Sequence, residues 1–184
     1  MLRGDTVLSP VGHITDVFII LSVCGRTVTG IEGQNVMKVI VIGASHAGIA
    51  FVDAMRRHGF DGSLTMIDRL AGLPLERPPL SKTFLLAADD EDDSFAFRAP
   101  DWFTSRQITL IGGRDVVGLD ADSRHLTLDN GDRLVYDRLV LATGATPRAL
   151  VDTDGMRGVF MLRDPGDARR LRAAARIARA ALVI

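Results

Sequence analysis

Apolar positions along this chain switch between two periods, and the switches mark its elements. Lys38 to Ile42 is a short apolar run of the kind buried on both faces of a sheet, and it breaks at the small-residue turn Gly43-Ala44-Ser45-His46-Ala47-Gly48. From about Ala47 to Arg57 the apolar spacing becomes helical, and Gly59 stands just past His58, where a left-handed residue closes a helix. Strand-forming residues return from Ser63 to Ile67 and end at Asp68, so the spacing predicts a β-α-β unit. A proline-rich segment, Leu73-Pro74-Leu75-Glu76-Arg77-Pro78-Pro79-Leu80, leads into a predicted short helix with Ser81 as N-cap.

Further on, Ile108 to Ile111, Arg114 to Leu119, His125 to Leu128 and Arg133 to Tyr136 read as short strands, the last two joined by the hairpin signal Asn130-Gly131. Arg138 to Ala142 returns the chain to the sheet and stops at Thr143-Gly144. Asp164 to Ala180 reads as a helix with Pro165 in its first turn and its arginines on a solvated face, and Ala181 to Ile184 opens another apolar strand. The fold class expected is α/β: a Rossmann-like parallel sheet with helices and a small antiparallel β-meander inserted between about Arg114 and Tyr136.

Residues 1–36 show no sustained period and read as an extension ahead of Met37, with a strand from Asp16 to Val23 as the alternative. The acidic run Asp89 to Asp93 reads as a solvated loop. Composition narrows the partners. With a net charge of −1 over 184 residues the chain has no basic excess for nucleic acid or an anionic membrane. The apolar stretch Val17 to Cys24 falls well short of the roughly 20 residues that span a bilayer. Cys24 is the single cysteine, which excludes an internal disulfide framework and fits a reducing, cytoplasmic setting.

Chemistry concentrates in three places. In the turn after the first strand, Gly43 permits the tight bend, Ser45 stands at the middle glycine position of a dinucleotide fingerprint, and Gly48 lets the helix approach the sheet. Alone, this suits any strand-to-helix turn or any Rossmann nucleotide site. Asp68 lies about 20 residues past Gly48, where an acid would accept from a ribose hydroxyl; a carboxylate that merely ends a strand is the plainer reading. Pro78 and Pro79 fix the backbone ahead of Lys82, which is either a surface lysine or a cation aimed at a cofactor.

With these motifs together, the chain resembles the FAD-dependent pyridine nucleotide-disulfide oxidoreductase superfamily. Within it, the resemblance is to the ferredoxin reductases that serve Rieske oxygenases, rubredoxin and cytochrome P450 systems. The resemblance rests on the Gly43 to Gly48 loop, Leu73 to Lys82, Tyr136-Asp137-Arg138-Leu139-Val140-Leu141-Ala142-Thr143-Gly144, and Pro147-Arg148. It implies that Gly43, Ser45, His46, Ala47 and Gly48 cradle the FAD pyrophosphate and that Asp68 or a neighbour meets the adenosine ribose. It further implies that Lys82 approaches the flavin as the residue that tunes its reduction, with Arg77 on the route to it. Val116 would contact adenine through its backbone, Ala142, Thr143 and Gly144 would pack beside the dinucleotide, and Arg163 would lie near the flavin.

The activity implied is electron relay from NAD(P)H through FAD to a ferredoxin, rubredoxin or Rieske-type iron-sulfur protein, with no metal held by this chain. Three departures qualify the resemblance. Arg69 and Leu70 stand where the family's acid often sits, Leu75 stands where a tyrosine is common, and no redox cysteine follows the second strand. Residues 37–180 are expected to be the N-terminal part of the FAD-binding domain, and residues 181–184 the first strand of a truncated NAD(P)-binding domain. Two rival readings follow: a non-catalytic or partner-dependent FAD-binding fragment, and an incomplete domain that self-associates through exposed apolar surface.

Overall fold

A computed structural model describes residues 36–87, 92–153 and 155–184. Expectations for residues 1–35, including the strand from Asp16 to Val23 and Cys24, and for residues 89–91 of the acidic run lie outside the described residues. Four parallel strands form the main sheet in the order β3-β2-β1-β7: β1 (Lys38–Ile42), β2 (Ser63–Asp68), β3 (Ile108–Gly112) and β7 (Arg138–Leu141). The α1 helix (His46–Arg57) carries the chain from β1 to β2, and α3 (Pro100–Ser105) precedes β3. The second sheet is the expected antiparallel meander: β4 (Val116–Asp120), β5 (His125–Leu128) and β6 (Arg133–Val135), in sequence order.

The period-two alternation of β1 divides the core into layers. Val39 and Val41 face Ile49 and Val52 of α1 together with Leu64, Met66 and Phe103, whereas Ile40 faces the other way, onto Leu126, Leu128 and Tyr136. Helices therefore cover one face of the parallel sheet and the meander covers the other. A third cluster, Leu80, Phe84 and Ala168, packs α2 (Thr83–Leu86) beneath α4 (Pro165–Ala175).

Arg56 locks the far end of α1 to the loops that enter β2 and β3. Its guanidinium donates to the carbonyls of Arg106 (2.7 Å), Phe60 (2.5 Å), Gly62 (2.9 Å) and Gln107 (2.9 Å), with the Phe60 ring 5.7 Å away. Burial holds its pKa below the usual arginine value, with nearby Asp61 pulling the other way. Arg56→Met is expected to lower unfolding free energy by about 2–4 kcal/mol, because four carbonyls lose a charged donor. Urea titration of flavin-free protein checks this; a change under ~1 kcal/mol would contradict the locking role.

Several expected boundaries move. The predicted helix from Asp164 to Ala180 stops at Ala175: its last buried residue is Arg172, and Ile177 beyond it is 86% exposed. Nor are all its arginines on a solvated face. Arg172 is 4% exposed, lies 5.2 Å over the Phe84 ring and donates to the carbonyls of Phe84 (3.2 Å) and Ala87 (2.6 Å), so the C-terminal end of α2 draws it inward.

The apolar strand expected from Ala181 to Ile184 does not form, since a strand needs a hydrogen-bonding neighbour and none of the described residues pairs with it. Ser81 is not an N-cap; it ends a 3₁₀ turn, Pro78–Ser81, and Lys82 occupies the cap of α2. Within the acidic run, Asp92–Phe95 forms a second 3₁₀ turn.

Candidate dinucleotide site

Strand order reverses at β1, whose neighbours are β2 on one side and β7 on the other, and the carboxyl ends of these strands open one crevice. Register places Ile42 beside both Ile67 and Leu141, so the turn at Gly43 lies against Ala142. Gly43 adopts φ +104°, and its N–H donates to the Ile67 carbonyl at 2.7 Å. A side chain there would overlap the Ala142 carbonyl oxygen, and one at Gly48 would overlap the carbonyl oxygen of Gly43. The first turn of α1 is therefore seated directly on the glycine turn. Among the described residues no side chain caps α1, which leaves the N–H groups of its first turn to an external acceptor.

The proline-rich segment is pinned beside this turn. Phe97 N–H donates to the Pro74 carbonyl and Glu76 N–H to the Phe95 carbonyl, both at 2.9 Å, and Leu75 bridges to Ala96. His46, exposed at the start of α1, presents its ring edge-on to Phe97 at 4.4 Å and so joins the cradle to that segment. Leu75, at the position where a tyrosine would be common, packs on the Leu80, Phe84 and Ala168 cluster. Past Glu76, Arg77 is half-buried and turned toward Gly144, which has φ +71°.

A Cβ at Gly144 would stand 3.2 Å from one guanidinium nitrogen of Arg163 and 3.5 Å from one of Arg77, so the two arginines converge on this glycine. Burial lowers the Arg77 pKa, and the neighbouring Arg163 charge lowers it further; Asp68 and Asp164 oppose the shift. Among the described residues neither guanidinium has a carboxylate within ion-pair distance. Arg163 is held from behind, its N–H donating at 2.8 Å to Asp167, which forms a reciprocal capping box with Asp164 at the start of α4. That box was legible as Asp-Pro-x-Asp, yet only the fold shows that it aims Arg163.

A cleft of about 380 Å³ joins these parts, lined among others by Ala44, Ser45, Asp68, Arg77, Asp164 and Arg170. Its volume falls within the roughly 300–1,000 Å³ of small-molecule sites. Arg69 reaches Asp164 at 3.5 Å, while Arg170, which the helical pattern placed on a solvated face, pairs with Asp167 at the rim. Asp68 has both carboxylate oxygens occupied by backbone donors, Ala44 N–H at 2.7 Å and Leu70 N–H at 2.9 Å.

Ala142 is buried, its N–H bound to the Ile42 carbonyl at 2.8 Å, and Thr143 and Gly144 emerge from it exposed. Two expected site residues stand apart. Lys82 is exposed between the 3₁₀ turn and α2, outside the cleft lining. Val116 begins β4 against the meander core, two residues after Arg114 N–H meets the Asp68 carbonyl at 3.1 Å. Among the described residues no group of His, Cys, Asp and Glu could hold a metal, and no helix is long and apolar enough to cross a membrane.

The family model described as pyridine nucleotide-disulphide oxidoreductase matches residues 37–184. The chain is 39% identical over 142 residues to the ferredoxin–NAD(+) reductase component of the p-cumate 2,3-dioxygenase system of Pseudomonas putida, covering 77% of this chain and 35% of that protein. It is 38% identical over 136 residues to rhodocoxin reductase of Rhodococcus erythropolis, covering 73% of this chain and 32% of the relative. The crystal structure of a ferredoxin reductase from Rhodopseudomonas palustris superposes with TM-score 0.68 at 35% identity, covering 74% of this chain and 34% of that one. The chain spans about a third of the length of the relatives it matches.

Proposed function

Because the chain belongs to the pyridine nucleotide-disulphide oxidoreductase family, we propose that residues 37–180 bind FAD and serve an NAD(P)H-dependent oxidoreductase of ferredoxin reductase type. The observation that carries this reading is the pairing of a tight glycine turn with two converging arginines that, among the described residues, have no carboxylate within ion-pair distance. The residues present suit a dinucleotide. Gly43 and Gly48 leave room for backbone only, Ser45, His46 and Ala47 bring the open first turn of α1 to a pyrophosphate, and Arg77 and Arg163 offer charge farther along.

In the same reading the Val116 backbone meets adenine. Ala142, Thr143 and Gly144 flank the ligand where the strand order reverses. Bound FAD supplies acceptance of a hydride from NAD(P)H and delivery of single electrons to an iron-sulfur protein, a ferredoxin or rubredoxin by analogy with the named relatives. The chain's own residues bind and orient: the cradle neutralises phosphate charge, Asp167 holds Arg163 in place, and Lys82 contributes an exposed cation from outside the cleft.

Titration of the purified chain with FAD, followed by flavin fluorescence and absorbance, tests the reading. Saturable binding in one-to-one ratio is expected, and absence of binding would contradict it. NADH-dependent reduction of ferricyanide by the loaded chain separates a working oxidoreductase from a binding fragment. Lys82→Ala is expected to leave FAD content unchanged. It should lower the flavin midpoint potential by roughly 20 mV, the equivalent of ~1 kcal/mol lost from one partly solvated charge. Spectroelectrochemistry against wild type reads this directly, and an unchanged potential excludes Lys82 from the flavin environment. The exposed apolar residues Val151, Ile177 and Val183 favour the rival reading, a domain that takes up no FAD and self-associates, and sedimentation velocity beside the FAD titration checks it.

A further inference from the structure

Resting on the dinucleotide reading above, we propose that Asp68 is a positioning residue that sets the donor geometry of the glycine turn, apart from any contact with a ribose. Its carboxylate bridges two backbone donors: Oδ2 accepts from Ala44 at 2.7 Å and Oδ1 accepts from Leu70 at 2.9 Å. The preceding donor, Gly43 N–H, is already committed to the Ile67 carbonyl at 2.7 Å. The end of β2 and its last side chain thus take up the first two donors of the turn. What remains for an anion begins at Ser45 and continues into the uncapped first turn of α1.

Ala44 is 1% exposed, so removing the carboxylate strands a donor that water reaches poorly, and the turn must shift to satisfy it. The Leu70 bond fastens the same carboxylate to the loop that lines the cleft, so one side chain holds cradle and loop in register. Strand pairing anchors Asp68 in turn: it stands opposite Gly112 in the β2–β3 register, and its carbonyl accepts from Arg114. A residue fixed on both backbone and side chain is suited to transmit a defined geometry, because little of its position is free to vary.

Calorimetric titration of the 184-residue chain with ADP and with 2′,3′-dideoxy-ADP separates this role from ribose binding. Asp68→Ala is expected to weaken both nucleotides by a common factor of about tenfold, the loss of one charge-assisted hydrogen bond's worth of geometry. Asp68→Asn keeps an acceptor for the Ala44 N–H and is expected to bind both within about threefold of wild type. Weakening of ADP alone in either variant, with dideoxy-ADP unchanged, assigns Asp68 to the ribose and overturns the proposal. Wild-type binding by Asp68→Ala overturns it as well.

Should Asp68→Ala not fold, the asparagine variant carries the test, and loss of both nucleotides beyond about tenfold there overturns the proposal, since the acceptor alone would not then suffice. In each of these outcomes wild type still binds ADP and the dinucleotide reading stands. A wild-type chain that binds neither nucleotide overturns that reading, and this proposal with it.

Discussion

Gly43→Ala and Gly48→Ala are each expected to yield protein that retains no flavin and unfolds at least about 3 kcal/mol more easily than wild type. The reason is backbone overlap. A Cβ at Gly48 would press into the carbonyl oxygen of Gly43, and one at Gly43 into the carbonyl of Ala142, and neither obstacle is a side chain that could swing aside. Gly43 adds the strain of φ +104°, a conformation L residues avoid. Relief requires α1 to lift from β1 or β7 to move off it, and either movement opens the core cluster that contains Val39, Val41, Ile49 and Val140.

Gly59→Ala is the control: it shares a positive φ, +81°, but a Cβ there would meet nothing within 4 Å. It should cost only about 1 kcal/mol of backbone strain and leave flavin binding intact. Denaturant unfolding and flavin content of the three variants, measured together, check the argument. Normal flavin content in Gly48→Ala would remove the cradle from the site.

Arg77→Met and Arg163→Met are expected to move two measurements in opposite directions. The Arg163 charge is, after burial, the next largest cause of the lowered Arg77 pKa, and this repulsion between like charges acts on both guanidinium groups. Removing one cation while keeping its apolar stem should therefore leave flavin-free stability equal to or slightly above wild type. FAD affinity should fall about ten- to a hundredfold, the value of one charge-assisted contact of roughly 1.5–3 kcal/mol. Salt should weaken wild-type binding more steeply than that of either variant, since screening acts on the charge that has been removed. Thermal unfolding without FAD and fluorescence titration with it provide the two readings. A stability loss matched by unchanged affinity would make the pair structural.

Some of this site was open to inspection in the chain itself. The apolar run from Lys38 to Ile42, the break at Gly43 and the helical spacing behind it are local, so their outcome depends on neighbours within a few residues. Asn130-Gly131 belongs to the same class, and the meander formed around it as its turn chemistry requires. Other features had no local signature. Arg172 carries the same charge as Arg169 and Arg170 on the same helix, and only the packing of α4 over Phe84 separates the buried cation from the exposed ones. Likewise the helical signal past Ala175 was genuine as propensity, but a short helix without a packed face is marginal in water.

What the sequence by itself determined is the succession of strand, turn and helix, the glycines at the tight turn and the resemblance that pointed to a flavin dinucleotide. These are short-range consequences of side-chain size and spacing. Only the tertiary structure decided that β7 lies against β1, although a whole domain's worth of chain separates them. It also decided that Arg77 and Arg163 meet at Gly144, that Lys82 lies outside the cleft, and that Asp68 turns its carboxylate onto the cradle's own backbone. Such juxtapositions arise from packing layers together around a shared core, and the free energy that selects them belongs to contacts between distant segments that no local pattern records.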